Sequence, residues 1–302
     1  MPRRKGHSVV SLYEHAEYLR VSDGPRPVQL CVSRLPSLRA EAPRRILLLH
    51  GNPSHVDHWR ATVPALQPLG EVVAYDEPGF GRSERLEVGR ASLERSARLA
   101  LGVLDAVGWH GKVDVIGQSH GGLVALALAA LAPSRVERIV LLGTGGTPAH
   151  LAYRLLALPG VARILGGVGT AVSRVHLPDA VRRAVVMRAA RDAFSPDLVP
   201  REVVDDELHL LATRPEMLMD MALLAGDDPC AKVAQYAARV TSPVLALHGR
   251  DDALVPLAYA RRLFDIVYRA SPESRFVALP GGHMMHLTRP ELVSPPIATW
   301  LA

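Results

Sequence analysis

The sequence predicts an α/β fold, a doubly wound and mostly parallel sheet of about eight strands with helices on both faces. Three observations lead to this prediction. Short, continuously apolar segments alternate with longer helical ones, as expected where strands are buried on both faces. Loops rich in glycine and polar residues follow those apolar segments directly. The 302 residues, 48 % hydrophobic and 22 % charged, are sufficient for a substantial core.

The N-terminal part predicts an antiparallel hairpin at the edge of the sheet. Residues 1–13 indicate a loosely held arm. Residues 18–21 and 28–32 alternate apolar and polar side chains, as half-buried strands do. The Asp-Gly-Pro segment at 23–25 is typical of a turn between them.

The first part of the parallel sheet is predicted from apolar runs and helical periodicity. Ser92 is a candidate N-cap for one of its helices, and Gly108 is a stop signal for the same helix. The predicted strands cover 45–50, 72–75, 113–116 and 138–142, and the predicted helices cover 56–69, 92–107 and 123–130.

The alternation of strands and helices lapses between residues 147 and 239. Apolar helical segments there are broken repeatedly by proline and glycine. We therefore expect a helical cap at 147–239, inserted between two parts of one core at 1–146 and 240–302. Three methionines in this insertion fit either an adaptable lid over a pocket or ordinary helix packing. They are Met217, Met219 and Met221.

The pattern resumes after the insertion and completes the sheet. Strands are predicted at 243–248 and 275–279, and a helix at 257–268. The last helix is expected to be interrupted or restarted near Pro295 and Pro296, because proline lacks an N–H group.

The segment Gly-Gln-Ser-His-Gly at 117–121 lies between a predicted strand and a predicted helix. This G-x-S-x-G pattern in that context is typical of a sharp turn that presents a serine hydroxyl at the end of a sheet. Gly117 and Gly121 are the residues that such a turn requires, because side chains there would meet neighbouring backbone. Ser119 is therefore the candidate nucleophile.

Two further side chains complete a candidate triad at the ends of other strands. His283 follows the last strand and is the candidate base, and Asp252 follows the preceding strand and is the candidate orienting acid. Asp251 competes for the acid position. The chain order Ser, Asp, His is the one expected when all three lie on loops of one such sheet.

These segments resemble the α/β-hydrolase fold superfamily over nearly all of the chain outside the insertion. In that family pattern the acid is the fourth residue counted from the glycine of its loop, which selects Asp252. The resemblance also implies that the backbone N–H groups of Asn52 and His120 form the oxyanion hole and that His50 supports the loop before Asn52. The motifs that carry it are His50-Gly51-Asn52-Pro53, the loop at 76–83, the segment at 117–121, the segment at 249–256, and Gly282-His283 with His286 and Pro290.

The resemblance implies a serine hydrolase that cleaves a carboxylic ester, lactone or thioester of a small apolar substrate through an acyl-serine intermediate. Haloalkane dehalogenases and epoxide hydrolases are similar around Asn52 but use an aspartate where this chain has Ser119. C–C hydrolases of aromatic ring cleavage remain an alternative. They favour a glycine-rich loop where Asn52 and Pro53 stand and a tryptophan where Met284 stands. Acyl transfer by the same triad and a non-enzymatic ligand receptor are further alternatives.

Composition argues against several other classes. The net charge of +5 comes from arginines scattered among acidic residues, which does not indicate a nucleic-acid surface. No segment is apolar for long enough to span a membrane, and none has the pattern of a signal peptide, so a cytoplasmic location is expected. Two distant cysteines argue against a disulfide framework. No feature indicates an oligomeric state.

The remaining histidines predict no metal site or cofactor. His55 and His58 have the spacing of ligands on one helix face, but no third ligand is patterned with them in the sequence. We expect His209, His248 and His286 to be structural or surface residues. The expected partner is a small ester-like molecule alone.

Overall fold

The computed structural model describes residues 11–22, 26–41, 43–85, 91–146, 151–175 and 177–302. Its centre is one sheet of eight strands in the order β1-β2-β4-β3-β5-β6-β7-β8. The pairs β1/β2 and β2/β4 are antiparallel, and the remaining pairs are parallel. The predicted α/β fold with a mostly parallel sheet is confirmed. The strands are β1 Ala16–Val21, β2 Val28–Leu35, β3 Arg44–Leu49, β4 Gly70–Tyr75, β5 Val113–Gln118, β6 Val136–Leu142, β7 Val244–Gly249 and β8 Arg275–Leu279.

Helices cover both faces of this sheet. Short 3-10 helices occur at Leu12–His15, Val56–Trp59 and Pro133–Arg135. The α-helices are α1 Val63–Leu66, α2 Leu93–Ala106, α3 His120–Leu131, α4 Leu151–Leu156, α5 Val161–Ser173, α6 Asp179–Phe194, α7 Arg201–Thr213, α8 Met217–Gly226, α9 Pro229–Ala237, α10 Leu257–Ala270, α11 Met285–Thr288 and α12 Pro290–Leu301.

Alternate side chains of each central strand enter different cores. On β3, Leu47 and Leu49 pack with helices α2, α3, α9 and α10 on one face. Ile46 and Leu48 pack with the 3-10 helix at Val56–Trp59, α1 and α12 on the other face. This burial of both faces explains why the central strands are continuously apolar in sequence.

Helices α4 to α8, which we call the cap helices, lie between β6 and β7 in the chain. Helix α5 packs mainly on α8, whereas α9 packs on α3 and shares the main core. The cap was predicted to start at residue 147, and residues 147–150 lie outside the described residues. The division into core and cap therefore remains a prediction.

The arm predicted at residues 1–13 is held firmly in its described part. Leu12 is buried, and its backbone N–H donates to Asp57 Oδ1 at 2.7 Å. The Tyr13 hydroxyl donates to Asp76 Oδ2 at 3.1 Å. The prediction of a loose arm is wrong at residues 11–13, because these contacts come from residues distant in sequence. The turn predicted at 23–25 and residues 1–10 lie outside the described residues.

The single helix predicted at 56–69 is instead divided into the 3-10 helix Val56–Trp59 and helix α1. Pro64 lies in the first turn of α1, where its missing N–H costs no helical hydrogen bond. Thr62, just before α1, donates its hydroxyl to the backbone carbonyl of His286 at 2.9 Å. The break therefore reflects both a proline and a tertiary contact.

The final helix is continuous where an interruption was predicted. Helix α12 continues through Pro295 and Pro296, although we expected an interruption there. Val293, Ile297 and Leu301 on this helix are fully buried in the core. Burial of this apolar face offsets the two helical hydrogen bonds that proline cannot make.

Candidate active site

Ser119 lies at the turn between β5 and α3 in a backbone conformation that is uncommon for a residue with a side chain. Its φ is 52° and its ψ is −116°. The backbone fixes this turn on both sides, because Ser119 N–H donates to the Leu142 carbonyl at 2.8 Å and Gly122 N–H donates to the Ser119 carbonyl at 3.0 Å. Thr144 Oγ1 donates to the same Ser119 carbonyl at 3.2 Å. Surrounding contacts therefore hold a strained serine, as is usual at functional sites.

The two glycines of the segment allow this turn to form. A Cβ on Gly117 would lie 2.3 Å from the Gly121 carbonyl oxygen. A Cβ on Gly121 would lie 2.1 Å from the Leu49 carbonyl oxygen at the end of β3. Both obstacles are backbone atoms, so no side-chain movement relieves them.

His283 and Asp252 form a buried hydrogen-bonded pair. His283 Nδ1 lies 2.8 Å from Asp252 Oδ2. The other carboxylate oxygen accepts the backbone N–H groups of Leu254 at 3.0 Å and Val255 at 2.8 Å. These contacts fix the carboxylate and leave one oxygen to orient the imidazole.

The competing carboxylate has a different partner. Asp251 is exposed, and its Oδ2 accepts the backbone N–H of Gly281 at 3.3 Å. Of the two neighbours, Asp252 is the one whose side chain reaches His283.

The Ser119 and His283 segments meet at the same end of the sheet. Ser119 contacts Leu142, and a Cβ built on the next residue, Gly143, would lie 3.2 Å from His283 Nδ1. Gln118 Nε2 is 3.5 Å from the His283 carbonyl oxygen. Within the described residues the partly exposed Ser119 hydroxyl makes no hydrogen bond. Contacts between nucleophile and base are often long in unliganded sites and tighten only with substrate.

The 50–53 loop passes directly beside this serine. A Cβ on Gly51 would lie 3.3 Å from Ser119 Cβ. His50 accepts the Glu77 N–H at Nε2 at 2.9 Å and donates from Nδ1 to the Gly51 carbonyl at 2.7 Å. Burial lowers the pKa of His50 to about 4, so the ring is neutral and its tautomer is fixed. The sequence-based expectation that His50 supports this loop matches these contacts.

The two residues predicted as oxyanion donors lie in segments next to Ser119: His120 follows it directly, and Asn52 follows Gly51 in the 50–53 loop. His120 opens helix α3, so its backbone N–H lies in the first turn, where amide groups have no intrahelical acceptor. Its side chain is buried, and burial lowers the pKa of His120 to about 3. Asn52 is buried, and its Nδ2 donates to the Met221 carbonyl on α8 at 3.1 Å. Its backbone N–H belongs to the loop that approaches Ser119.

The loop after β4 is organised by one buried carboxylate, a role that sequence reasoning missed. Asp76 accepts the backbone N–H groups of Val56 and Arg82, each at 2.8 Å, as well as the Tyr13 hydroxyl. Burial raises the pKa of Asp76 to about 6. Its position at the end of a buried strand was the available signal, since a carboxylate there must find hydrogen-bond donors.

His248 is a second supporting residue. It is buried at the end of β7, and its Nε2 donates to the Val255 carbonyl at 2.7 Å. The same nitrogen is 3.4 Å from Asp252 Oδ2. His248 thus stabilises the loop that carries Asp252, in line with the structural role expected from the sequence.

Apolar side chains from the cap helices border the site on two sides. Phe194, Val203 and Met284 form one cluster beside His283. A second cluster contains Phe80, Met217 and Leu224. Met219 packs against α5, where its Sδ would lie 2.9 Å from a Cβ built on Gly166, and Met221 packs at the edge of the second cluster.

Two histidines form a separate polar cluster behind the 50–53 loop. His55 and His58 are buried, with ring centroids 4.3 Å apart. Burial lowers the pKa of His55 to about 3 and that of His58 well below its usual range, so both rings are neutral. Glu207 from α7 reaches the same cluster and supplies the third side chain that the sequence did not reveal.

Two other expectations concern residues outside the site. The side chains of Cys31 and Cys230 are both free thiols. Among the helices described here, we find none with the length and apolarity needed to cross a bilayer.

Comparison with known proteins agrees with this architecture. An α/β hydrolase fold family model matches residues 44–290. The chain is 30 % identical to 2-hydroxy-6-oxo-2,4-heptadienoate hydrolase of Pseudomonas putida, over 74 % of this chain and 77 % of that protein. It is 28 % identical to the dihydrolipoyllysine-residue acetyltransferase component of the acetoin cleaving system of Pseudomonas putida, over 93 % of this chain and 70 % of that protein.

A solved structure shows the same fold. The esterase from Thermogutta terrifontis superimposes with a TM-score of 0.72 and 24 % identity, covering 95 % of this chain and 97 % of that chain. The family match extends over most of the chain and includes the loops that carry Ser119, Asp252 and His283. This protein is a member of the α/β hydrolase fold family.

Proposed function

We propose that the protein is a serine hydrolase of carboxylic esters, with Ser119 as nucleophile, His283 as general base and Asp252 as orienting acid. The observation that carries this proposal is the buried 2.8 Å contact between His283 and Asp252 at the end of the sheet that presents Ser119. Such an arrangement holds an imidazole with Nδ1 protonated and Nε2 available to accept a proton.

The reaction proceeds in two halves. Ser119 Oγ attacks the ester carbonyl carbon while His283 Nε2 takes the hydroxyl proton, and the carbonyl oxygen becomes an oxyanion. Backbone N–H groups of Asn52 and His120 stabilise this charge. The intermediate collapses, the alcohol leaves with the proton from His283, and water activated by the same imidazole then hydrolyses the acyl-serine.

The surroundings of the site favour an uncharged substrate. The side chains that approach from the cap helices are largely apolar, and arginines that flank this end of the sheet already have partners. Arg85 pairs with Asp220 at 2.6 Å, and Arg289 pairs with Asp197 at 2.6 Å. Arg214 donates to backbone carbonyls of the loop after β4. A carboxylate-bearing substrate would have to compete with these pairs.

Hydrolysis of a C–C bond in a dicarbonyl compound is the second candidate. The similarity to the Pseudomonas putida enzyme favours it, because that relative is a hydrolase of 2-hydroxy-6-oxo-2,4-heptadienoate. The same serine, base and oxyanion donors serve that reaction. Asn52, Pro53 and Met284 stand where the C–C hydrolases have different residues, which favours the ester.

Acyl transfer uses the same acyl-serine and differs only in the acceptor. Because the chain is similar to an acetyltransferase component, acyl transfer is a third candidate to be tested. An added alcohol or amine that captures the acyl group in preference to water would identify it.

A substrate panel separates these candidates. The full chain and its Ser119→Ala variant are assayed with p-nitrophenyl esters and lactones of varied acyl length and with a 2-hydroxy-6-oxo-dienoate. We expect ester cleavage that falls by several orders of magnitude in Ser119→Ala. Dienoate cleavage at a higher kcat/KM than any ester would favour the second candidate. Equal rates in the wild type and Ser119→Ala would refute both.

A further inference from the structure

Three potential metal ligands from two parts of the fold meet behind the 50–53 loop. His55 directly precedes the 3-10 helix Val56–Trp59, His58 lies within that helix, and Glu207 comes from α7 in the cap helices. One ligand atom from each side chain lies within 4.8 Å of the other two. The two histidines are close together in sequence, whereas the glutamate is brought near them only by the packing of α7.

The imidazole nitrogens in this cluster lack hydrogen-bond partners. Both ring nitrogens of His55 and Nε2 of His58 are buried and unpaired within the described part of the chain. Buried polar atoms are nearly always paired, because leaving water without a new partner is unfavourable. The unpaired nitrogens of His55 and His58 are therefore available to bind a ligand.

The remaining nitrogen of His58 has a partner of the kind that orients a metal ligand. His58 Nδ1 lies 2.7 Å from the buried Ser54 Oγ. When Nδ1–H donates to this hydroxyl, Nε2 carries the lone pair, and it is Nε2 that is unpaired. Histidines that bind metals are oriented by such a hydrogen bond from the other ring nitrogen.

The positive charge of the nearby Arg60 is already balanced by carboxylates. Arg60 Nη1 lies 3.1 Å from Asp57 Oδ2 and 3.5 Å from Asp206 Oδ2, and Arg60 Nη2 lies 3.7 Å from Glu202 Oε1. A cation in the cluster would therefore meet the Glu207 carboxylate while the charge of the nearby Arg60 is balanced by acidic side chains.

We propose that His55, His58 and Glu207 bind one divalent transition-metal ion. Two imidazoles and one carboxylate form a donor set suited to Zn²⁺ and its neighbours rather than to Ca²⁺ or Mg²⁺. Bonds of about 2.1 Å place tetrahedral ligand atoms roughly 3.4 Å apart, so modest side-chain rotations close the observed separations.

Such an ion would join the cap helices to the core. His55 lies close in sequence to Asn52, and Glu207 lies on α7, so the ion would connect the loop beside Ser119 to the cap. This role is structural and independent of the proposed ester chemistry.

Metal binding is tested on the full chain after treatment with a chelator and dialysis. Zn²⁺ is titrated by calorimetry, metal content is measured by mass spectrometry, and Co²⁺ serves as a spectroscopic probe of the ligand set. We expect one Zn²⁺ per chain and visible Co²⁺ bands of a site with low coordination number. A 100-fold excess of Zn²⁺ over Kd should raise Tm by roughly 5 °C.

Two variants on the same helix provide the comparison. Glu207→Gln removes the charged ligand with little change in shape and should weaken Zn²⁺ binding by about 10-fold or more. His209→Asn alters an exposed histidine on α7 and should leave the affinity unchanged. His58→Asn, checked for folding by its metal-free Tm, should also lose the site.

Three results would overturn the proposal: no stoichiometric Zn²⁺ on the wild type, the same affinity in Glu207→Gln, or an equal loss in His209→Asn. Because the readouts are stoichiometry, spectra and Tm, failure of the metal site leaves the proposed hydrolase activity untouched.

Discussion

Replacing Asp252 by asparagine tests how the carboxylate acts on His283. In the wild type, Asp252 Oδ1 accepts two backbone N–H groups, and Oδ2 faces His283 Nδ1. An asparagine oxygen would keep the two backbone bonds, because only an acceptor can pair with them. The amide NH₂ group must then face the imidazole.

This reversal places the proton on the wrong nitrogen. His283 would accept the amide N–H at Nδ1 and carry its proton at Nε2, where it cannot take the proton of Ser119. A tautomer fixed in this way costs about 10⁴-fold in kcat in a serine protease triad, which corresponds to about 5.5 kcal/mol of transition-state stabilisation. We expect a similar loss for Asp252→Asn.

The assay is the rate of p-nitrophenyl ester hydrolysis, together with the rate of labelling by a fluorophosphonate. Asp251→Asn is the matched control, because that side chain contacts Gly281 and not the imidazole. It should retain activity within about 3-fold, as expected for a surface change away from the reacting groups. Near wild-type rates in Asp252→Asn, or equal losses in both variants, would refute this reasoning.

Three further substitutions test the turn, a buried carboxyl and the oxyanion loop. Gly121→Ala places a Cβ 2.1 Å from the Leu49 carbonyl oxygen and should lower the free energy of unfolding by about 3 kcal/mol, whereas Gly111→Ala, with open space around it, should change it by less than about 1 kcal/mol in urea titrations. Burial raises the pKa of Glu77 from 4.5 to about 7, so its protonated form stabilises the fold below about pH 4.5 and this stabilisation is lost as pH rises through 7. Glu77→Gln should remove on the order of 3 kcal/mol of that pH dependence, measured as unfolding free energies between pH 4.5 and 8. Asn52→Ala keeps the backbone N–H and should keep kcat within about 10-fold in the ester assay, less than the 10²–10³-fold cost of losing an oxyanion donor.

For each of these three predictions, one result would contradict it. Equal stability of the two glycine variants would show that the elbow tolerates a side chain. A pH profile for Glu77→Gln parallel to that of the wild type would place the titration elsewhere. A loss of about 10²-fold or more in Asn52→Ala would assign the donor role to its side chain.

The features that could be predicted from the sequence are those that depend on residues close together in the chain. The strand, tight turn and helix around Ser119 are encoded within 113–131, and the apolar runs of the other strands likewise reflect local burial. The positions of Asp252 and His283 followed because parallel strands present their carboxyl ends at one edge of a sheet.

Features that depend on distant contacts were not predictable from the sequence. Glu207 lies far along the chain from His55 and His58, and only the packing of α7 brings them together. The firm attachment of Leu12 likewise depends on Asp57, and the break before α1 on a hydrogen bond from Thr62. Periodic patterns in the sequence do not reveal such contacts, because each contact joins two segments whose sequence patterns are independent of each other.

The most direct test of the catalytic assignment is the site of covalent modification by a fluorophosphonate. Intact-mass analysis of the full chain should show one adduct per molecule, and peptide mapping should locate it at Ser119. The Ser119→Ala variant should remain unmodified under the same conditions. Modification of Ser119→Ala to the same extent as the wild type, or an adduct on another residue, would contradict the proposed triad.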